Sequence, residues 1–387
     1  MQYFEHSMPA LRLLTGRGAL DRLGAECDRL GVSNVALLCS GSLLRDGRLH
    51  GAIVRAMGTR LAGTFSGTLP HSPLPVVEAA AAALRGMRAD AVLAVGGGSV
   101  IVTARAATII LGEARPIGEL CTRIGQDGQL ISPRLKAPKL PQIVIPTTPT
   151  TAVVKAGAAV LEPHTGRRLA LFDPASRART ILLAPELVES VPGGVVLSAG
   201  LNALAMAVEG LLSPVPPSPI ADAALLHAIG LIAVHLPSGA VAGDVDSRQH
   251  LMAAAVLTGQ GTDYAGGGVV SALGHAIGAR HHAGNGIVNA IMLPAALRFN
   301  AAQATAGIGK VATALGLPRG AGLEEVIHAL EVLFGSLPIP CRLRDLGVTR
   351  NDLGPVANAA MQDWFLRSNP RPVSAAADLV ALMEQAL

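Results

Sequence analysis

Between residues 9 and 180 short aliphatic runs alternate with stretches whose apolar residues recur at helical spacing. Strands are predicted at 11–14, 34–40, 62–65, 90–96 and 142–146, and helices at 19–30, 48–57, 76–87 and 100–111. Such alternation predicts a parallel sheet with helices on both faces, its ligands at the carboxyl ends of the strands. Residues 113–140 lose periodicity and read as a loop excursion with a short helix, and 156–161 with 168–172 read as a hairpin turning at 163–166. After residue 181 the pattern changes to helices alone, at 185–191, 195–212, 221–235, 247–263, 270–280 and 288–301. The expected organisation is therefore an α/β domain at 1–180 and a helical domain at 181–387.

Composition narrows this picture. Half of the residues are apolar but only 2% are aromatic, so the core must be built from Ala, Val, Leu and Ile. No apolar run reaches roughly 18 residues without a Gly, Pro or polar break, so no membrane span is expected. A net charge of +4 on 387 residues, without basic runs interleaved with aromatics, argues against a nucleic-acid partner. Cys27, Cys39, Cys121 and Cys341 lie far apart with no C-x-x-C spacing, which suggests neither a zinc knuckle nor a disulfide framework. The first residues carry no basic and then apolar leader pattern, so a cytoplasmic location is expected.

The stretch 90–99, an aliphatic run closed by Gly96, Gly97, Gly98 and Ser99, predicts a strand, a tight turn and a helix N-terminus. Glycines let an anion approach the backbone, and the first helical N–H groups point at it. Three consecutive glycines are not the G-x-G-x-x-G fingerprint, and a ligand-free glycine turn remains the alternative. Thr147, Thr148, Thr150 and Thr151 follow the 142–146 strand and place hydroxyls at the same sheet end. In the helical half, Asn202 and Met206 are four apart, as are Ser271 and His275, so each pair shares a helix face. His275 reads equally well as a hydrogen-bonded core histidine or a catalytic one. His281 and His282 read as loop residues with poor geometry for holding one ion.

The order of these motifs resembles the iron-containing alcohol dehydrogenase family. It joins the glycine-serine turn, the proline-threonine strand end, the Asn-Ala-Leu-Ala-x-Ala-Val-Glu helix, the His275 helix leading to Gly286, and the Ser-Asn-Pro-Arg-Pro-Val segment 368–373. Asn202, where the alcohol dehydrogenases have aspartate, and the 369–373 segment look like the maleylacetate reductase branch. The resemblance implies a Rossmann-like parallel-sheet domain followed by a helical domain, the dehydroquinate synthase-like arrangement, with NAD or NADP bound between them and a homodimeric enzyme. By position it implies Gly97, Gly98 and Ser99 at the pyrophosphate, Thr147, Thr148 and Thr151 lining the cofactor cleft, and Arg168 at a lysine position near the ribose. An aspartate that would bind the ribose hydroxyls is Gly41 here, and the nearby Arg45 would suit a 2′-phosphate.

The four positions that hold the family's metal are Asn202, Met206, Ser271 and Asn285, none a good ligand for a first-row divalent ion, so no metal is expected. An aspartate and a lysine after the glycine turn are Val102 and Arg105, and Pro149, Thr150, Ala152, Val153 and Val154 replace a glycine-bearing segment. The leading expectation is a metal-independent NAD(P)H-dependent reductase of a small carbonyl or enone. His275 is its proton donor, Asn202 holds the substrate oxygen, and Arg280 or Arg298 would pair with any substrate carboxylate. A non-redox lyase, cyclase or isomerase on the same scaffold is the alternative, and a non-catalytic homologue the third. A metal on re-invented ligands, His275 with Asp263 or His281, is the thinnest reading.

Overall fold

A computed structural model describes residues 3–125 and 129–387. The middle of the predicted 113–140 excursion lies outside the described residues. By contacts the chain divides into residues 9–191 and residues 192–387 joined by 3–8. The expected boundary at residue 180 falls inside the strand Ala178–Leu183, and the division by contacts lies after residue 191.

The strands are β1 (Leu13–Thr15), β2 (Val35–Cys39), β3 (Leu61–Phe65), β4 (Ala91–Gly96), β5 (Arg123–Ile124), β6 (Leu130–Ile131), β7 (Gln142–Pro146), β8 (Gly157–Leu161), β9 (Arg168–Phe172) and β10 (Ala178–Leu183). Six of them form one sheet in the order β1-β10-β7-β4-β2-β3, every pairing parallel. The central strands β2, β4 and β7 are buried on both faces, which their unbroken aliphatic sequences require. Val35, Leu37, Cys39, Leu93, Val95, Ile143 and Ile145 alternate onto one face, where they meet Leu23 and Cys27 of helix Leu23–Leu30 and Ile53 and Met57 of helix Gly47–Met57. Helix Gly98–Glu113 packs on the same central strands and is itself largely buried.

Besides the short β5–β6 pair inside the 113–140 excursion, the strand that the sequence pattern did not disclose is β10. Its apolar residues run directly into helix Pro185–Glu189, so the change of period is hidden. Two charged clusters fix the edges of this unit. Glu26, 1% exposed, accepts from Arg12 (2.8 Å), Arg29 (2.8 Å) and Thr180 of β10 (2.9 Å). The Arg12 guanidinium holds its carboxyl down at about 2. Lys139, fully buried, bridges Glu113 (2.8 Å) and Asp173 (2.9 Å) and ties the end of the 113–140 excursion to the sheet unit.

The second unit is helical throughout its described residues. Its principal helices are Gly193–Leu212, Pro219–Pro237, Val245–Ala265, Val269–His281 and Asn285–Asn300, followed by four shorter ones. Two segments, Gly193–Leu212 and Pro219–Ala242, are long and apolar enough to cross a membrane, contrary to the sequence estimate. In the first, 78% of the apolar window is buried inside the protein, as in a core helix. Gly286 lets helices Gly193–Leu212 and Asn285–Asn300 touch, because a Cβ there would meet the Asn202 backbone nitrogen at 2.7 Å.

Candidate functional site

The glycine turn of the first unit forms as its sequence predicts. Gly96 has a φ of 155°, and a Cβ there would lie 2.5 Å from Val100, so only glycine fits the step from β4 into helix Gly98–Glu113. Thr148 and Thr150 lean over the turn: their hydroxyls lie 3.3 Å from a Cβ built on Gly97 and 2.8 Å from one built on Gly98. The Thr147 N–H donates to the Gly96 carbonyl at 3.0 Å. Ser99 is already engaged, its hydroxyl accepting from the His71 N–H at 3.2 Å. Thr151 is buried in the next turn, and Arg168 opens β9 opposite Leu161 with its side chain exposed. Arg105, fully buried, donates to the carbonyls of Ala152 (2.7 Å) and Gly157 (2.8 Å) and so pins the threonine segment and the β8–β9 hairpin to the helix behind the turn.

At the carboxyl end of β2, Arg45 folds back over the glycine beside it. Its Nη1 lies 3.3 Å from where a Gly41 Cβ would stand. The hydroxyls of Ser40 and Ser42 meet at 2.8 Å on the same turn, and Asp46 spends its carboxylate on capping Leu49. A cation and two hydroxyls therefore occupy the place where the resemblance expects a carboxylate.

In the helical unit three helices bring the remaining candidates together. The Asn202 amide nitrogen lies 3.6 Å from the Met206 sulfur, one turn on. The side chains of Asn202 and Asn289 meet amide to amide at 3.1 Å. Turned to satisfy both of its ends, Asn289 donates to the carbonyls of Val270 (3.1 Å) and Asn285 (3.0 Å). Ser271 gives its hydroxyl to Glu209 at 2.5 Å, and the other Glu209 oxygen accepts from the N–H groups of Val270 (2.7 Å) and Ser271 (3.1 Å). Glu209 thus caps helix Val269–His281, a residue-type match for a helix N-terminus. Burial pushes its carboxyl up to about 7, against the opposing pull of the Ser271 hydroxyl and the backbone donors.

One turn after Ser271, His275 places Nδ1 2.7 Å from an oxygen of Asp363. The other Asp363 oxygen accepts from the Phe365 N–H at 3.0 Å, which caps the short helix Trp364–Ser368. The Phe365 ring lies 5.6 Å from the His275 ring. Asn369, whose Oδ1 accepts from the Val269 N–H (3.1 Å), pairs with Asn300 and fastens the 368–373 segment beneath the same helix.

Sequence reasoning missed Asp363, Glu209, Asn289 and Phe365. Glu209 and Asn289 stood in the quoted motifs at i+7 from Asn202 and i+4 from Asn285, spacings that signal a shared face. Asp363 lies 88 positions from His275 and had no local signal. Arg280 and Arg298 do not reach this site: they are half-exposed in ion pairs with Asp352 (2.9 Å) and Glu324 (3.1 Å). His281 ends its helix largely buried, 3.9 Å from Asp352, and does not lie on an open loop. Among the described residues no three His, Cys, Asp or Glu side chains come together as a metal site.

Known proteins match the whole length of this arrangement. The family described as iron-containing alcohol dehydrogenase matches residues 10–185, and its C-terminal counterpart matches residues 196–387. A 4-hydroxybutyrate dehydrogenase of Cupriavidus necator is 30% identical over 383 residues, 96% of each chain. Maleylacetate reductase 2 of Cupriavidus pinatubonensis is 31% identical over 330 residues, 85% of this chain and 82% of the relative. Among solved structures, a 1,3-propanediol oxidoreductase superposes with a TM-score of 0.88 at 25% identity over all of both chains. The iron-containing alcohol dehydrogenase of Thermococcus thioreducens superposes with a TM-score of 0.87 at 26% identity over 98% of both. The chain belongs to the iron-containing alcohol dehydrogenase family and is a nicotinamide-dependent oxidoreductase.

Proposed function

We propose that the chain is a metal-independent NAD(P)H-dependent reductase of a small carbonyl or enone, with His275 as its proton donor. The observation that carries this reading is the 2.7 Å contact between His275 Nδ1 and Asp363. A carboxylate on Nδ1 fixes the tautomer and ring orientation, so the proton that His275 exchanges is the one on Nε2. It also offsets the charge of the imidazolium, the form that donates.

The donor set at the four family metal positions does not fit a divalent cation. Asn202 and Asn285 are neutral amides, Met206 a thioether already beside the Asn202 amide, and the Ser271 hydroxyl is committed to Glu209. None supplies negative charge to replace a hydration shell. The charge that builds on the substrate oxygen is then met by hydrogen-bond donors, the Asn202 amide and the His275 imidazolium.

When bound, the nicotinamide supplies the hydride that adds to the substrate carbon. His275 delivers the matching proton to the oxygen, so the carbonyl becomes an alcohol, or an enone a saturated ketone after protonation at carbon. Asp363 is a positioning residue. In the sheet unit, Arg45 above Gly41 favours the 2′-phosphate of NADPH, since the carboxylate that would repel it is absent there.

The test is a screen of short aldehydes and enones with NADPH and NADH, followed by His275→Ala on whichever substrate turns over. Loss of about 10²- to 10⁴-fold in kcat/KM with unchanged nicotinamide affinity is expected. Unchanged turnover in His275→Ala would remove the proposal.

A further inference from the structure

We infer that the reacting carbonyl is carried on a flat unsaturated body, an aryl or conjugated carbonyl compound, received by the paired rings of Phe365 and Trp364. This rests on the reductase site proposed above.

The chain holds one Trp, two Tyr and six Phe in 387 residues, and among the described residues none of these side chains is in the buried core. Four of the nine stand in consecutive pairs, Tyr3 with Phe4 and Trp364 with Phe365, and of these Phe365 lies against His275. The Phe365 ring is 5.6 Å from the His275 ring at 30°, and the Trp364 ring is 5.8 Å from Phe365 at 55°. Trp364 and Phe365 are both only partly buried.

The chain makes room for them and holds them in place. A Cβ on Gly267 would come within 2.9 Å of the Phe365 ring, so the absence of a side chain at Gly267 is what lets that ring lie there. Asp363 fixes the start of the turn by capping the Phe365 N–H and holding His275, and Asn369 fixes its end through the Val269 N–H. Rings pinned at both ends are ordered before a ligand arrives, which lowers the entropic cost of binding. Small-molecule sites are mostly apolar and aromatic with a few convergent polar groups, here the His275 imidazole and the neighbouring amides. A planar π body gains offset or edge contacts with such rings that a saturated chain of equal reach does not, roughly a two- to tenfold preference for each ring engaged.

Trp364 is the only tryptophan, so its emission reports this corner alone. The full-length protein would be titrated with benzyl alcohol and, separately, with 1-butanol, following tryptophan fluorescence. A saturable change with benzyl alcohol is expected, at a Kd at least about fivefold below that of 1-butanol. Phe365→Leu, which keeps an apolar side chain over Gly267, is expected to cut that preference to about twofold or less. No saturable change with benzyl alcohol, or equal Kd values for the two alcohols, overturns the inference. Benzaldehyde and butanal are then offered with NADPH. Selective binding of benzyl alcohol with reduction of neither aldehyde leaves the aryl site standing and counts against the reductase reading.

Discussion

Glu209 and Ser271 share a 2.5 Å hydrogen bond in the fully buried centre of the helical unit, one turn before His275 on the same helix. The carboxyl sits at about 7 there and near 4.5 in the unfolded chain, so between those values the native state keeps a proton that the unfolded state has released. Stability from this group is therefore fully present below about pH 4.5 and is lost as pH rises through 7, by on the order of 3 kcal/mol. Glu209→Gln mimics the protonated acid and accepts the same backbone N–H bonds. Denaturant midpoints at pH 5 and pH 8 should fall further for the wild type than for Glu209→Gln; equal slopes would contradict this account of the buried acid.

Asp363→Asn leaves the size of the His275 partner unchanged but removes its charge. The imidazolium loses its counter-ion at the moment of proton donation, so kcat/KM should drop by roughly 10- to 100-fold. Nicotinamide affinity, read by fluorescence titration, should not move. A drop in affinity equal to the drop in turnover would mean that the pair is structural.

Arg45 offers a guanidinium to a cofactor phosphate without a competing carboxylate at position 41. Arg45→Ala should weaken NADPH by about tenfold while leaving NADH nearly unaffected, since a charge-assisted phosphate contact contributes roughly 1.5 kcal/mol. Gly41→Asp should reverse the preference. Binding constants for both cofactors that shift together in Arg45→Ala would place the phosphate elsewhere.

Gly274 is the point where helix Val269–His281 approaches Asn289. A Cβ there would collide with the Asn289 amide and stand 3.4 Å from the Asn285 carbonyl. Gly274→Ala should cost about 1–3 kcal/mol of stability, seen as a lower Tm, and should move His275 with its helix enough to reduce turnover. An unaltered Tm would show that the amide can move away freely.

Much of the fold was legible because strands and helices differ in period. Strands β2, β4 and β7 announce themselves as unbroken aliphatic runs, and the glycine turn after β4 follows from residues that tolerate a φ of 155°. Strand β10 was hidden, since Ala178 to Leu183 run without a turn residue into the apolar start of the next helix. In the site, the i and i+4 spacing of Asn202 with Met206 and of Ser271 with His275 was readable, because a helix alone brings such residues together. The partners that decide the chemistry, Asp363 on His275 and Asn289 on Asn202, arrive from 88 and 87 residues away, where no local periodicity connects them.

Metal independence is the central claim and is tested most directly by chelation. Protein analysed for bound iron and zinc, then treated with a strong chelator and desalted, would be assayed for aldehyde reduction with NADPH, with and without added Fe²⁺ or Zn²⁺. The account predicts the same kcat/KM before chelation, after it and after metal addition. Activity lost on chelation and restored by a stoichiometric divalent cation would contradict it.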